Sequence, residues 1–277
     1  MAKTSPGFWP VVLSRAWGIA AISALGELLV PPRLTAVALR LAVQLFLVVC
    51  LWRGLYAHTG VTAGIDREQA VGYAVLATLA IRMRSIDRST GRDTVLQHMN
   101  FGTIVYWFLR PLTPRHYYAL RAVGDQLYGF VWALAGYLVC WAVGAVELPG
   151  SGRVLTVFLL SLLLGQWVLY HVMLMIDLMC FWTLRNNAAL LILQFTQNLL
   201  SGVYAPLWFF PAWFVTVSSF LPFQYSLNVP LSIYIGRIPL GAAPRYLMYQ
   251  VLWGAGLALC TRWLWHRSAR RVISQGG

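Results

Sequence analysis

The chain has 277 residues, of which 59% are apolar and only 10% are charged, whereas an average soluble domain carries about 25% charged residues. Because a folded soluble protein of this size still leaves roughly a quarter of its chain surface in water, this composition excludes soluble, disordered and fibrous proteins. It predicts an all-α integral membrane protein. The net charge of +13 is interpreted as a bias of basic residues toward cytoplasmic loops, with no nucleic-acid partner.

The first segment, residues 1–33, is predicted to hold a helix that lies in the membrane interface. Residues 8–30 are weakly amphipathic and contain two tryptophans and an arginine, a composition suited to the membrane surface. Pro31 and Pro32 are expected to end this helix, because proline cannot continue one. A first true span is the alternative, and a cleaved signal peptide is disfavoured because Glu27 interrupts the apolar segment.

A single transmembrane domain is predicted over residues 34–277. A spanning helix needs about 20 mostly apolar residues, and runs of that kind predict six transmembrane helices. They lie at about residues 35–56, 68–83, 124–146, 154–178, 187–204 and 246–265. The loop over residues 84–120 is longer than most connections, so it is expected to be functional or disordered.

Residues 205–235 are predicted to form a re-entrant lid between the fifth and sixth spans. No charged residue occurs from 186 to 236, and four prolines divide this stretch. Two short helices are expected, over residues 211–220 and 223–234, with the broken backbone covered by protein or water. The aromatic residues of the lid form either a belt at the outer interface or a surface for an amphipathic solute.

Basic residues set the predicted orientation. With six spans, sixteen of the 21 Lys and Arg residues fall on the side that holds both termini, and five fall on the other side. Because basic loops are retained in the cytoplasm, both termini are predicted to be cytoplasmic. The protein would be a multi-pass protein of the cell membrane, meaning the inner or plasma membrane.

No catalytic residues and no metal site are predicted. The single lysine, Lys3, does not lie in the GxxxxGK[S/T] loop that holds ATP phosphates, so ATP and Mg²⁺ are expected on a separate ATPase and no cofactor on this chain. His171 has no metal-ligating neighbours at useful spacing. Asp125 and Asp177 are interpreted as structural partners of nearby arginines, with a proton relay as the alternative.

Four polar residues at membrane depth are candidates for the substrate path. Gln194, Gln197 and Asn198 stand at positions i, i+3 and i+4 and therefore share one face of the fifth span, and Gln44 lies within the first span. Such groups usually join helices through hydrogen bonds worth about 0.6 kcal/mol each. Helix joining and contact with a substrate both remain open for these residues.

Four motifs in order along the chain resemble one transporter family. They are Gly102 with Leu109-Arg110-Pro111-Leu112; Gly202 with Pro206-Leu207 and Phe210-Pro211; Leu221-Pro222-Phe223 with Pro230 and Gly236; and Arg270-Arg271 with Gln275-Gly276-Gly277. The chain resembles the compact six-span group of ABC-2-type transporter permeases, long known as a domain of unknown function. The resemblance covers almost the whole chain. It departs at Thr103, where many members carry an acidic residue.

The resemblance implies an ABC-2, or type V exporter-like, fold in which the first segment is an elbow helix. It implies a second permease subunit, identical or paralogous, and two cytosolic ABC ATPase subunits. The ATPase-coupling loop would hold Asp87, Arg88, Arg92, Asp93, Gln97, His98 and Phe101. The outer lid would include Pro206, Phe210, Pro211, Trp213, Pro222 and Phe223. The cargo would be an amphipathic, drug- or antibiotic-like molecule that is exported by alternating access.

Three other functions compete with this one. An ion-coupled secondary transporter predicts an internal repeat and a deep ionisable residue, and the sequence shows neither. A membrane enzyme predicts clustered His, Asp or Glu residues, and the eight acids of this chain are scattered. A non-transporting membrane assembly factor stays open.

Overall fold

The structure is a computed structural model that describes residues 31–57, 61–62, 64–83, 114–183 and 187–275, together with the single positions Gly18 and Ala21. Apart from those two positions, the predicted interfacial helix over residues 8–30 lies outside the described residues. The seven predicted coupling residues lie outside them as well: Asp87, Arg88, Arg92, Asp93, Gln97, His98 and Phe101. What the sequence predicts for these segments stays a prediction.

Within the described ranges the chain is almost entirely helical. Helix α1 (Pro31–Leu55) is followed by a short antiparallel ribbon, β1 (Val61–Thr62) and β2 (Ile65–Asp66), and then by α2 (Arg67–Arg82), α3 (Pro114–Ala142), α4 (Gly152–Thr183) and α5 (Asn187–Leu200). A 3-10 turn (Leu207–Phe209) and three short helices come next: α6 (Ala212–Ser219), α7 (Phe223–Ser226) and α8 (Asn228–Tyr234). The last helix is α9 (Ala243–Gln275). The all-α class is therefore confirmed for the described residues.

Three predicted boundaries differ from the helices of the structure. Helix α1 (Pro31–Leu55) includes Pro31 and Pro32, which were expected to end the interfacial helix. Helix α3 (Pro114–Ala142) includes residues 114–120, which were assigned to the loop. Helix α9 continues to Gln275, well past the predicted end at residue 265, because the thickness of the hydrocarbon limits a span but not a helix.

Helix α2 is buried along most of its length. A capping box fixes its start: the Asp66 carboxylate accepts from the Gln69 backbone N–H at 2.7 Å, and the Gln69 side-chain oxygen accepts from the Asp66 N–H at 3.2 Å. Residues 70–77 are all buried, and a run of that length covers every face of a helix. Helices α1, α3 and α8 pack around it. No sequence signal marks the ribbon before α2, because two-residue strands give no alternating pattern.

Glycines let neighbouring helices approach at backbone distance. A Cβ at Gly129 of α3 would collide with the carbonyl group of Arg82 at the end of α2. A Cβ at Gly165 of α4 would lie 2.5 Å from the carbonyl oxygen of Ser226 in α7. Close contact at small residues is the usual way in which membrane helices pack, because the surrounding lipid is as apolar as the side chains.

Apolar side chains cover much of the outside of the bundle. Two helices are long and apolar enough to cross a membrane, α1 (Pro31–Leu55) and the Gly152–Met179 part of α4, and only 11% of the apolar window of α1 is buried. Leu39, Phe46, Leu163 and Leu259 are 66–68% exposed. A water-soluble monomer rarely exposes apolar surface on this scale, so the exposed faces support a membrane-embedded protein.

Candidate functional site

The segment between α5 and α9 folds into a 3-10 turn and three short helices; we call residues 205–235 the lid, and their re-entrant position in a membrane stays a prediction. Three of its prolines stand at the starts of its turns: Pro206 before the 3-10 turn, Pro211 before α6 and Pro222 before α7. The first predicted lid helix is present as α6. The second, predicted over residues 223–234, is split at Leu227 into α7 and α8. Pro230 accounts for the split, because it has no N–H to donate to the carbonyl of Ser226 four residues before it.

Buried polar contacts fasten the lid to α2; we call them the lid junction. The Tyr73 hydroxyl lies 3.0 Å from Asn228 Oδ1 and 3.3 Å from the Gly202 carbonyl oxygen, and the Tyr73 ring meets the Trp208 ring edge-on at 4.8 Å. Gly202 has φ +77°, and a Cβ there would lie 2.5 Å from the Tyr73 hydroxyl. One turn earlier on α2, Gln69 donates to the Ile235 carbonyl at 3.0 Å. These contacts join the lid directly to the first half of α2.

A cavity of about 890 Å³ lies under the lid; we call it the lid cavity. Its walls come from the 3-10 turn, α6, α7, α8 and the first turns of α9. Arg237 lies over the Trp208 ring at 4.8 Å, and Arg245 lies over the Tyr249 ring at 5.6 Å while its Nε donates to the Tyr249 hydroxyl at 3.1 Å. Among the described residues that line the lid cavity, two are arginines and none is Asp or Glu.

A second cavity, of about 410 Å³, shows the opposite arrangement of charge. Arg53 and Arg67 line it together with Glu68 and Glu147. Its two cations therefore share their cavity with two carboxylates. The lid cavity differs because its cations are accompanied by aromatic rings.

The six predicted lid residues divide by environment. Phe210 lines the lid cavity, and Phe223 packs against a buried cluster of Leu169, Met173 and Leu193 between α4 and α5. Trp213 is 67% exposed on the other face of α6 and does not line the cavity. Pro206, Pro211 and Pro222 act as the turn residues described above, and Pro206 and Pro222 are buried.

The predicted polar residues of the substrate path are not all brought together. Gln197 on α5 is completely buried, and neither atom of its amide has a hydrogen-bond partner among the described residues. Asn198 donates to the Tyr204 hydroxyl at 3.1 Å, while Gln194 on the same helix is half-buried. Gln44 on α1 instead accepts a hydrogen bond from Arg82 at the end of α2.

A different glutamine, which the sequence did not single out, joins three helices. Gln250 of α9 is completely buried, accepts from the Ser161 hydroxyl at 3.0 Å, and donates to the Ser161 and Tyr225 carbonyl oxygens at 2.9 and 2.7 Å. All of its polar atoms are used within the chain. Gln250 therefore has the helix-joining role, whereas the amide of Gln197 has no hydrogen-bond partner among the described residues.

His171, Asp125 and Asp177 are the other buried ionisable residues that the sequence singled out. His171 Nδ1 lies 3.0 Å from Thr261 Oγ1, which links α4 to α9. Asp125 and Asp177 are both buried, and their pairing with arginines and the alternative of a proton relay stay predictions. Within the described ranges, no three His, Cys, Asp or Glu side chains come together in a way that could hold a metal ion.

Four residues of the site were not predicted from the sequence. Tyr73 lies in an apolar run and reads as a core aromatic, and Asn228 lies within a predicted helix of the lid. Arg237 and Arg245 entered only the count of basic residues on one side. The one available signal was the return of two arginines directly after the charge-free lid.

Comparison with known proteins gives one match. A family model described as "ABC-2 family transporter protein" matches residues 41–276, which is well over half of the chain. No curated protein and no solved structure matches the chain.

Proposed function

The chain belongs to the ABC-2 family of transporter proteins and is a membrane permease of an ABC transporter, and from that premise we propose that it exports an amphipathic small molecule by alternating access. It would work with two separate ATPase subunits and a second permease, identical or paralogous. The observation that carries the proposal is the family match over residues 41–276. The 277 residues contain one lysine and no phosphate-binding loop, so the ATP and Mg²⁺ would be held by the partner ATPase.

Six spans are proposed on the correspondence between predicted and observed helices. Helices α1 to α5 and α9 each overlap one predicted span. Helices α2 and α5 are short, at 16 and 14 residues, so each would cross the membrane with help from the segments at its ends. The count of basic residues supports cytoplasmic termini in the cell membrane.

We propose that α2 carries the motion of the ATPase to the lid. The predicted coupling segment follows α2 directly, at its Arg82 end, and the lid junction holds its other half through Tyr73 and Gln69. Sixteen helical residues span about 24 Å. A helix that is buried on every face moves as one body, so a push at one end would displace the lid at the other.

The proposal is tested by purifying the chain with its partners and by shortening the coupling loop. The tagged protein is extracted gently from its native membrane, and an ABC ATPase is expected to come with it. Deleting residues 90–99 should abolish that association while membrane insertion, measured by protease protection, is unchanged. Retention of the ATPase by the deletion variant would refute the coupling-loop assignment.

Transport itself is measured in sealed inside-out vesicles that contain the complex. Uptake of an amphipathic dye is expected to need ATP and to stop when the ATPase is removed. Uptake driven by a proton gradient without ATP would instead support the ion-coupled alternative. A complex that binds the ATPase but moves no substrate under either condition would support the assembly-factor alternative.

A further inference from the structure

We propose that the lid cavity binds the negatively charged group of an amphipathic molecule, with the apolar body of that molecule on the aromatic wall. Its role as an exit site for cargo rests on the proposed export function, but the binding does not. The ligand chemistry is an anionic head, such as a phosphate, sulfonate or carboxylate, attached to an apolar or aromatic body.

The first argument is size and shape. Small-molecule sites usually measure about 300–1,000 Å³ and combine apolar walls with a few polar groups. The lid cavity, at about 890 Å³, has the volume for a drug-sized ligand. Phe210, Tyr246 and Trp253 supply aromatic wall, and Gln224 and Ser232 supply neutral polar groups.

The second argument is charge. Arg237 and Arg245 come from the two sides of the turn that leads into α9, and both line the cavity. The Arg237 Cζ lies 4.8 Å from the centre of the Trp208 ring, and the Arg245 Cζ lies 5.6 Å from the centre of the Tyr249 ring. A guanidinium group offers phosphate or carboxylate a planar fork of N–H donors.

The third argument is the contrast with the other arginines that the sequence places on the same side of the membrane as Arg237 and Arg245. Arg53 and Arg67 share their cavity with Glu68 and Glu147. That arrangement favours no anion. Arg153, at the start of α4, is exposed and lines none of the cavities described above. Arg153 is therefore the matched control for removal of one positive charge.

The experiment measures binding in nanodiscs of neutral phosphatidylcholine, without ATPase and without transport. Three probes share a naphthalene body: 2-naphthyl phosphate, 2-naphthol and (2-naphthylmethyl)trimethylammonium. Titration calorimetry against empty nanodiscs should show the phosphate binding at least about tenfold more tightly than the other two. R237Q and R245Q should each weaken the phosphate by about tenfold, and R153Q should not. R237K and R245K, which keep the charge, should recover part of the affinity.

Two results would overturn the proposal. One is equal binding of the three probes; the other is an equal effect of R153Q and of the two cavity variants. Inorganic phosphate that binds as tightly as 2-naphthyl phosphate would overturn the amphipathic part. Circular dichroism and size-exclusion profiles that match those of the unmodified protein show that a variant is folded. Where a glutamine variant is not folded, R237K or R245K takes its place, and a lysine variant that binds as tightly as the unmodified protein would argue against recognition by the guanidinium group.

A second arm identifies the source of the anion. Phosphatidylglycerol is added to the nanodiscs, and 2-naphthyl phosphate is titrated again. A weaker apparent affinity, together with phosphatidylglycerol retained on the unmodified protein and lost from R237Q in native mass spectrometry, assigns the site to a lipid headgroup. An unchanged affinity assigns it to a water-borne anion. Failure of binding leaves the transport assay untouched, and failure of transport leaves the binding result untouched.

Discussion

Gln197 and Gln250 form a pair whose replacement by leucine should change stability in opposite directions. Both side chains are completely buried. Gln250 makes three hydrogen bonds, whereas both amide atoms of Gln197 lack a partner among the described residues. Hydrogen bonds between membrane helices contribute about 0.6 kcal/mol each, so Q250L should lose about 2 kcal/mol of unfolding free energy. A buried polar group without a partner costs about 1–3 kcal/mol, so Q197L should gain about 1–3 kcal/mol.

The assay is reversible unfolding of the purified chain in mixed micelles that are titrated with a denaturing detergent, followed by circular dichroism. The two variants should differ by roughly 3 kcal/mol or more, the sum of the two effects. A loss of stability by Q197L as large as that of Q250L would refute the reasoning, because it would show that Gln197 is fully paired in the folded chain. If Gln197 contacts cargo, Q197L should also transport less while being more stable.

Three further predictions concern the lid and α5. Gly202→Ala should lower the free energy of unfolding by about 1–3 kcal/mol through backbone strain, and by more because the new Cβ collides with Tyr73. Gly236→Ala, with φ +78° and open space around it, should show only the strain. Equal losses in the unfolding assay would contradict the close-contact argument. Tyr73→Phe should lower ATP-driven dye uptake more than Tyr137→Phe. Both variants lose a hydrogen bond to the lid, but Tyr137 belongs to α3 and Tyr73 to α2. Equal uptake by the two variants would refute the role of α2. Replacement of Gln194, Gln197 and Asn198 together by leucine should change the range of dyes transported more than it changes expression, and a pure loss of the permease dimer would instead favour helix joining.

The helices and the breaks between the short helices of residues 205–235 were accessible from the sequence because their signals are local. Hydropathy locates an apolar run, and a proline interrupts a helix wherever the chain folds. The extents of α1 and α3 were less accessible, because proline can either end a helix or lie in its first turn. Pro31, which was expected to end a helix, lies within α1, and Pro114, which was assigned to a loop, lies within α3.

The site was less accessible because its chemistry depends on which side chains meet. The amides of Gln197 and Gln250 are identical in sequence terms, and only the packing of α4, α7 and α9 gives one of them three partners. Tyr73 is one aromatic residue in an apolar helix until Gly202 and Asn228 are placed beside its hydroxyl. The stripe of polar residues on α5 was visible from spacing, but its environment was not.

The arginines show how a count by side of the membrane conceals a difference that matters for function. Arg53, Arg67, Arg237 and Arg245 are equal in that count, yet two share a cavity with carboxylates and two share a cavity with aromatic rings. Arg237 lies on Trp208, and Trp208 packs against Tyr73 of α2. A displacement of α2 would therefore shift the Trp208 ring and, with it, the guanidinium proposed to hold the anion. Coupling to the ATPase and release of the ligand would then be consequences of one movement, because the same ring belongs to the lid junction and to the cavity wall.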